Sequence, residues 1–278
     1  MGALAYVVLL PGDEWLSLPV VAGSLWLVEL GIGPLQPVLV LVALGLTITF
    51  GAVALRLDVA TVSGALAGGL CLVVTTVLGG IEWAFVLLAF FGSGSLLSRV
   101  DPPRTQLPHL SDPSDQPRSA GNVLANAGAS TGAVVLYALA DPVLGADPRA
   151  LVFAFVGGIA AATSDTVASE IGERYEHAWL ITSRERVDSG TDGAVSIPGT
   201  LAGISGAATI AVCATLVFTP LVLTDGLLLT AIGTLGMLLD SVLGVTVEGR
   251  WIANDGVNLV ATTTIALSSA VLVCSPIY

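Results

Sequence analysis

Four groups of polar residues stand inside stretches that are otherwise apolar enough for a membrane, and their types and spacing define the chemistry open to this chain. In RSAGNVLAN, a helical rotation of 100° per residue places Arg118, Ser119, Asn122 and Asn126 within about 100° of arc. That is a polar stripe beginning at a helix end, with Ser119 as a natural N-cap. In ATSDTVASEIGE, Asp165, Thr166, Ser169, Glu170 and Glu173 cover about 140° of one helix while Val167, Ala168 and Ile171 fill the remainder. Carboxylates gathered on one face call for a cation, and hard oxygen ligands suit Mg²⁺ bridged to substrate phosphates. Glu173 also reads as a solvated helix end.

The third group, SGTDGAVSIPGTLAG, is a Gly-rich turn feeding directly into a helix. Backbone N–H groups around Gly190, Thr191, Asp192 and Gly193, added to the helix dipole, form an anion site that needs no Lys. Arg184 and Arg186 just before it offer planar forks for phosphate oxygens. As a bare pattern, the stretch is equally a plain turn. The fourth group is LLDSVLG, with Asp240 and Ser241 in an apolar helix, and NDGVN, with Asn254 and Asn258 one turn apart. Asp240 reads either as a metal ligand or as a partner of Arg250, and Asn254 and Asp255 also read as helix caps. An ionisable group inside lipid costs about 2.5–3.5 kcal/mol on insertion scales, which makes each of these a functional candidate.

The elements that must position them follow from composition. Of 278 residues, 54% are hydrophobic and 11% charged, with a mean hydropathy of +0.91, which excludes a water-soluble globule. Apolar runs of about 20 residues are long enough to cross the hydrocarbon core. They predict spans near 16–32, 34–55, 60–79, 82–98, 120–141, 150–172, 198–219, 224–247 and 256–275. The fold class expected is all-α, a polytopic transmembrane bundle of about 8–9 spans, forming a single domain over 1–278 with polar loops near 99–119 and 173–197. Continuous runs rather than alternation argue against a β-barrel. The N-terminal stretch has no basic region or cleavage signature, so its apolar segment is expected to be retained. Gly64/Gly68, Gly128/Gly132 and Gly199/Gly203 are small-xxx-small pairs of the kind that let helices approach closely.

Acidic residues outnumber basic ones 21 to 9, and every cation is Arg. Without Lys a Walker A loop is impossible, and the acidic balance excludes nucleic acid as a partner. The excess acid suggests a salt-adapted, halophilic source. Cys71, Cys213 and Cys274 lie far apart in apolar runs and read as core residues. Arg56, Arg99, Arg104, Arg118, Arg174, Arg184, Arg186 and Arg250 fall in alternate loops, leaving Arg149 on the other side; the positive-inside rule makes the first set cytoplasmic. All four polar groups then share the cytoplasmic side of a multi-pass protein of the cell membrane. Carboxylates for a metal, Arg and amides for phosphates, and a surrounding lipid bilayer suit phosphoryl transfer from a nucleoside triphosphate to a membrane-dissolved acceptor.

On RSAGNVLANAGA, ATSDTVASEIG, GTDGAVSIPGTLAG, LLDSVLG and NDGVN, in that order, the chain resembles the integral membrane proteins grouped as domain of unknown function 92. That family also includes vertebrate transmembrane protein 19 and the plant chloroplast phytyl-phosphate kinase. The resemblance runs from about Gly51 to the C-terminus. It implies a kinase that converts a prenyl monophosphate, such as phytyl or geranylgeranyl phosphate, to the diphosphate with CTP or another nucleoside triphosphate. Carried over by position, the candidates are Arg118, Asn122, Asn126, Asp165, Ser169, Glu170, Gly190, Thr191, Asp192, Gly193, Asp240, Asn254 and Asn258. From their chemistry, Asp165, Glu170 and Asp240 are expected to hold Mg²⁺ and to be catalytic, and the others, with Arg184 and Arg186, to bind substrate and nucleotide. Relatives often carry Lys before the Gly-rich loop, where this chain has ITSRERVDSG, so the cationic role passes to Arg184 or Arg186. They also often carry a longer insert where this chain has VEGRWIA. The alternatives are a transporter or flippase of a prenyl phosphate or another anion, and a non-catalytic scaffold.

Overall fold

The computed structural model describes residues 36–97, 117–140, 145, 147–175, 177–219 and 221–274. Among them are α1 (Pro37–Arg56), α2 (Val62–Val74), a π-helical turn (Thr75–Gly79), α3 (Ile81–Leu97), α4 (Ala120–Leu139) and α5 (Pro148–Gly172). Three strands follow, β1 (Ala178–Leu180), β2 (Arg186–Val187) and β3 (Ala194–Val195), and then α6 (Ile197–Val217), α7 (Leu223–Val247) and α8 (Asn254–Val273). Seven of the helices, counting α2 with its π-turn, are long and apolar enough to span a bilayer, and α3 contributes a shorter apolar stretch. The protein is thus a polytopic helical membrane bundle. The span expected at 16–32, and Arg99 and Arg104 of the loop near 99–119, lie outside the described residues.

Helix starts are set by local chemistry. Ser119 accepts from the Asn122 N–H, Asp147 from Arg149 N–H ahead of Pro148, and Ser196 from Gly199 N–H. Each satisfies a donor that the first helical turn leaves open. The loop expected at 173–197 is in part a small antiparallel sheet of order β2-β1-β3, in which Ala178 pairs with Val187 and Trp179 with both Arg186 and Val195. Strands of two and three residues are too short to show alternation in sequence.

The bundle is organised around α5, which packs against α3, α4, α6, α7 and α8 and is buried along nearly its whole length. Lipid offers no hydrophobic drive between helices, so close approach through small residues has to supply the packing. A Cβ placed on Gly203 of α6 would lie 2.9 Å from the Ser164 carbonyl oxygen, and one on Gly236 of α7 would lie 2.4 Å from Cβ of Ala161. Gly199 likewise meets the Ala168 carbonyl, so the Gly199/Gly203 pair is a true interface. Gly128 and Gly132 are different, because a methyl group there would meet almost nothing.

Successive helices alternate in direction, which gives the bundle two poles. One pole gathers the N-termini of α2, α4, α6 and α8 with the C-termini of α1, α3, α5 and α7. At the other, Trp83 stacks against Tyr137, Phe155 and Phe218 at centroid distances of 4.7, 4.8 and 5.2 Å. Beside that aromatic cluster, Arg149 Nη2 donates to Asp225 Oδ1 at 2.9 Å, and Asp225 is wholly buried. The second Asp225 oxygen accepts from Val222 N–H at 2.9 Å, so this acid also caps α7.

Candidate functional site

The first pole encloses a cavity of about 750 Å³, within the range of small-molecule sites. It is lined by segments from every polar group singled out in the sequence. Arg118, Asn122 and Asn126 enter from α4; Asp165, Thr166, Ser169, Glu170 and Glu173 from α5; Gly190–Gly193 from the turn before β3; Asp240 and Ser241 from α7; Asn254 and Asn258 from α8.

Arg118 is held by its backbone: its N–H donates to Val59 O at 3.1 Å, and Thr61 N–H donates to its carbonyl at 3.1 Å. Its guanidinium lies flat on the α3 backbone, where a Cβ on Gly94 would be 2.6 Å from Nη2. Burial lowers the Arg118 pKa, and the nearby Glu170 carboxylate opposes that shift. A guanidinium stays charged regardless, so desolvation here strengthens its pull on an anion. Glu170, expected among the metal ligands, thus stands where its charge acts on Arg118.

The carboxylates that act on one another are Asp165, Asp240 and Glu248. Glu248 is the residue immediately after α7, half-buried at the cavity wall. Burial raises its pKa, and the charge of Asp192 in the Gly-rich turn raises it further. Sequence reasoning missed Glu248 because it falls just past the apolar run. A signal was present, since 248 follows 240 by eight positions and so returns to within about 80° on a helix. No ion pair joins any of these three to a cation among the described residues, and Arg250, the alternative partner for Asp240, is exposed. No group of three His, Cys, Asp or Glu side chains is placed to hold a metal ion by itself among the described residues. Such an open set of hard oxygens fits Mg²⁺, which is usually held by one or two carboxylates plus substrate phosphates and waters.

The Gly-rich turn is fixed to α7 by Gly193. Its φ of 72° lies in the left-handed region, and an added Cβ would be 2.0 Å from Val245 Cγ2 and 2.5 Å from Ser241 O. Within the turn, Thr191 N–H and its hydroxyl both donate to Asp188 O, and Ala194 N–H donates to Thr191 O. Those donors are spent on the turn, leaving the cradle to the other N–H groups.

Arg184 and Arg186 are not brought in. Both are exposed on the β1–β2 hairpin, outside the cavity, and Arg186 lines a separate surface hollow with His177, Val187 and Asp188. Neither lines the cavity that gathers the other candidates, because the β1–β2 hairpin carries them outside it. Arg118 is the Arg that lines the cavity.

At the α4–α8 seam, Asn122 Nδ2 donates to Asp255 Oδ1 at 3.4 Å, Asn126 Nδ2 to Asn122 O at 2.9 Å, and Thr262 Oγ1 to Ala125 O at 2.9 Å. The caps expected of Asn254 and Asp255 are replaced by Ala253 at the N-cap position, with Asp255 turned onto α4.

Comparison with known proteins gives relatives of the same kind. The sequence pattern of the family described as integral membrane protein DUF92 matches residues 45–266. An uncharacterized membrane protein of Methanocaldococcus jannaschii is 36% identical over 198 residues, covering 70% of this chain and 78% of its own. One from Synechocystis is 32% identical, over 67% of this chain and 74% of its own. The chloroplastic protein VTE6 of Arabidopsis thaliana is 34% identical over 126 residues, 43% of this chain and 36% of its own. No solved structure matches the chain.

Proposed function

Since the chain belongs to the DUF92 integral membrane family, we propose that it is a membrane-embedded, Mg²⁺-dependent polyprenyl-phosphate kinase. It would convert phytyl or geranylgeranyl monophosphate to the diphosphate with CTP or another nucleoside triphosphate. The observation that supports this reading most is the joining of three carboxylates (Asp165, Asp240, Glu248) and a half-buried Arg118 in the lining of one cavity at a single pole. The motif resemblance to a family that includes the plant phytyl-phosphate kinase agrees with it.

In this reading, Asp165 and Asp240, aided by Glu248, hold Mg²⁺, which supplies charge neutralisation on the triphosphate. Arg118 fixes phosphate oxygens, and the turn at Gly190–Gly193 positions the nucleotide against α7. Phosphoryl transfer asks a protein mostly for position and charge, which is what these groups offer. The low-dielectric bundle keeps water from competing for the phosphoryl group. The Arg distribution supports a cytoplasmic side for this pole, where nucleotides are, and the cell membrane would be its location.

The test is direct. Purified protein in detergent at high salt receives geranylgeranyl monophosphate, Mg²⁺ and either CTP or ATP, and the lipid products are analysed by mass spectrometry. Diphosphate formation that is lost in Asp165→Asn is expected. No product across several chain lengths from folded protein, together with flux of prenyl phosphate into liposomes without nucleotide, would replace the kinase by a transporter.

A further inference from the structure

Three helices point their N-termini into the cavity, and they are finished differently. α4 is capped by Ser119 and α6 by Ser196, each hydroxyl accepting from the first turn of its own helix. α8 begins on Ala253, which has no side-chain acceptor to offer. Gly256 N–H and Val257 N–H donate to Ala253 O. The N–H groups of Asn254 and Asp255 find no acceptor among the described residues. The carboxylate of the first turn, Asp255, also lines the cavity but is bound to α4 and not to its own helix: Oδ1 accepts from Asn122, and Oδ2 lies against Gly121, where a Cβ would come within 2.6 Å.

One turn further into the same helix, Asn258 is only 7% exposed, lines the cavity, and its amide makes no hydrogen bond among the described residues. The amide opens onto the cavity, where its N–H groups are free to donate to a ligand. An uncapped helix N-terminus with an unmatched amide beside it is a set of donors and positive partial charge awaiting an anion.

Resting on the kinase reading above, we propose that the uncapped start of α8, with the Asn258 amide, seats the phosphate of the prenyl monophosphate acceptor. Two anions have to share the cavity. The triphosphate carries the divalent cation with it and so belongs on the wall of Asp165, Asp240 and Glu248, where a bare phosphate dianion would be repelled. The acceptor brings no metal and needs donors in place of carboxylates. The α8 start offers two backbone N–H groups and an amide for it, with Arg118 adding charge across the same cavity.

The experiment installs the missing cap. Ala253→Ser gives α8 its own acceptor, which would engage the Asp255 or Gly256 N–H and stand where a phosphate oxygen would sit, while leaving the helix as stable as before or more so. Binding of radiolabelled geranylgeranyl monophosphate, and of geranylgeraniol as the phosphate-free control, is measured on the detergent-solubilised full chain. Turnover with CTP is recorded alongside. Ala253→Ser and Asn258→Ala are each expected to weaken monophosphate binding about tenfold, with Asn258→Asp weakening it more. Geranylgeraniol binding, nucleotide KM and the melting temperature should hold. Undiminished monophosphate binding in folded Ala253→Ser and Asn258→Asp protein would overturn the seat, as would a loss that falls on nucleotide KM instead. If wild type binds the monophosphate through α8 yet transfers nothing, the seat stands and the kinase reading falls. If it turns over and the variants bind normally, the reverse holds.

Discussion

At the pole opposite the cavity, Arg149 and Asp225 meet at 2.9 Å, and Asp225 takes a further backbone N–H while Trp83, Tyr137, Phe155 and Phe218 pack nearby. At the cavity pole, Asp165, Asp240 and Glu248 line the same cavity with no ion-pair partner among the described residues, a half-buried Arg118 lines it too, and the Asn258 amide on α8 opens onto it. Both arrangements place charge where desolvation is costly. In the first, the protein supplies its own counter-charge, so the expected yield is a fixed joint between α5 and α7. In the second, the counter-charges have to come from outside, and the expected yield is binding. Where charge balances internally, substitution should damage the fold; where it does not, substitution should damage function and can even relieve the fold.

That contrast can be broken in several ways. The largest effect is expected from Asp240→Asn: turnover falls by at least about 10²-fold, while thermal unfolding in detergent shows a melting temperature equal to or above wild type, since a desolvated carboxyl group without an ion-pair partner is replaced by a neutral amide. A large loss of stability would put Asp240 in the same class as Asp225. Next, Asp225→Asn should destabilise by about 3 kcal/mol, near the low end for breaking a buried pair because Arg149 is partly exposed; chemical denaturation reads this. A folded, fully stable Asp225→Asn protein without activity would erase the distinction between the poles.

A third prediction concerns the cation. Adding Mg²⁺ to protein stripped with chelator should raise the melting temperature by linkage, and the rise should vanish in Asp165→Asn; an unchanged rise would remove Asp165 from the metal wall. Smaller again, Gly193→Ala forces a side chain into Val245 and a positive φ, and a loss of about 1–3 kcal/mol is expected, with raised nucleotide KM checked by kinetics. The smallest effect belongs to Arg184→Ala with Arg186→Ala. Both residues stand outside the cavity, so kcat/KM should stay within about twofold of wild type, as surface substitutions usually do.

The helices were legible because lipid forces about 20 apolar residues into each span, and Pro37–Arg56 through Asn254–Val273 follow those runs closely. The convergence of the four polar groups was legible too: alternating spans and the Arg distribution put them at one pole. What escaped is what hydropathy does not carry. The strands of 178–195 are too short to alternate, and the hairpin they build is what turns Arg184 and Arg186 outward. Glu248 stands one residue beyond a span, where polarity looks like an ordinary helix end. Asp225 meets a partner 76 positions away, a pairing no local pattern encodes. Gly128 and Gly132 have the packing spacing but face away from any neighbour.

The enclosure of α5 bears on how the chain is made. Of the described helices, α1–α4 precede it, and it carries Thr163, Ser164 and Asp165 into the bilayer before α6, α7 and α8 exist to cover them. Its Gly157 face is matched by Ser269 of α8, the last of the described helices in chain order. Biogenesis therefore has an interval in which the central helix is threaded but unsheathed, and the carboxylate wall is completed only when α7 docks on it. A chain cut before α8 would be held in that interval, open along the flank that α8 covers.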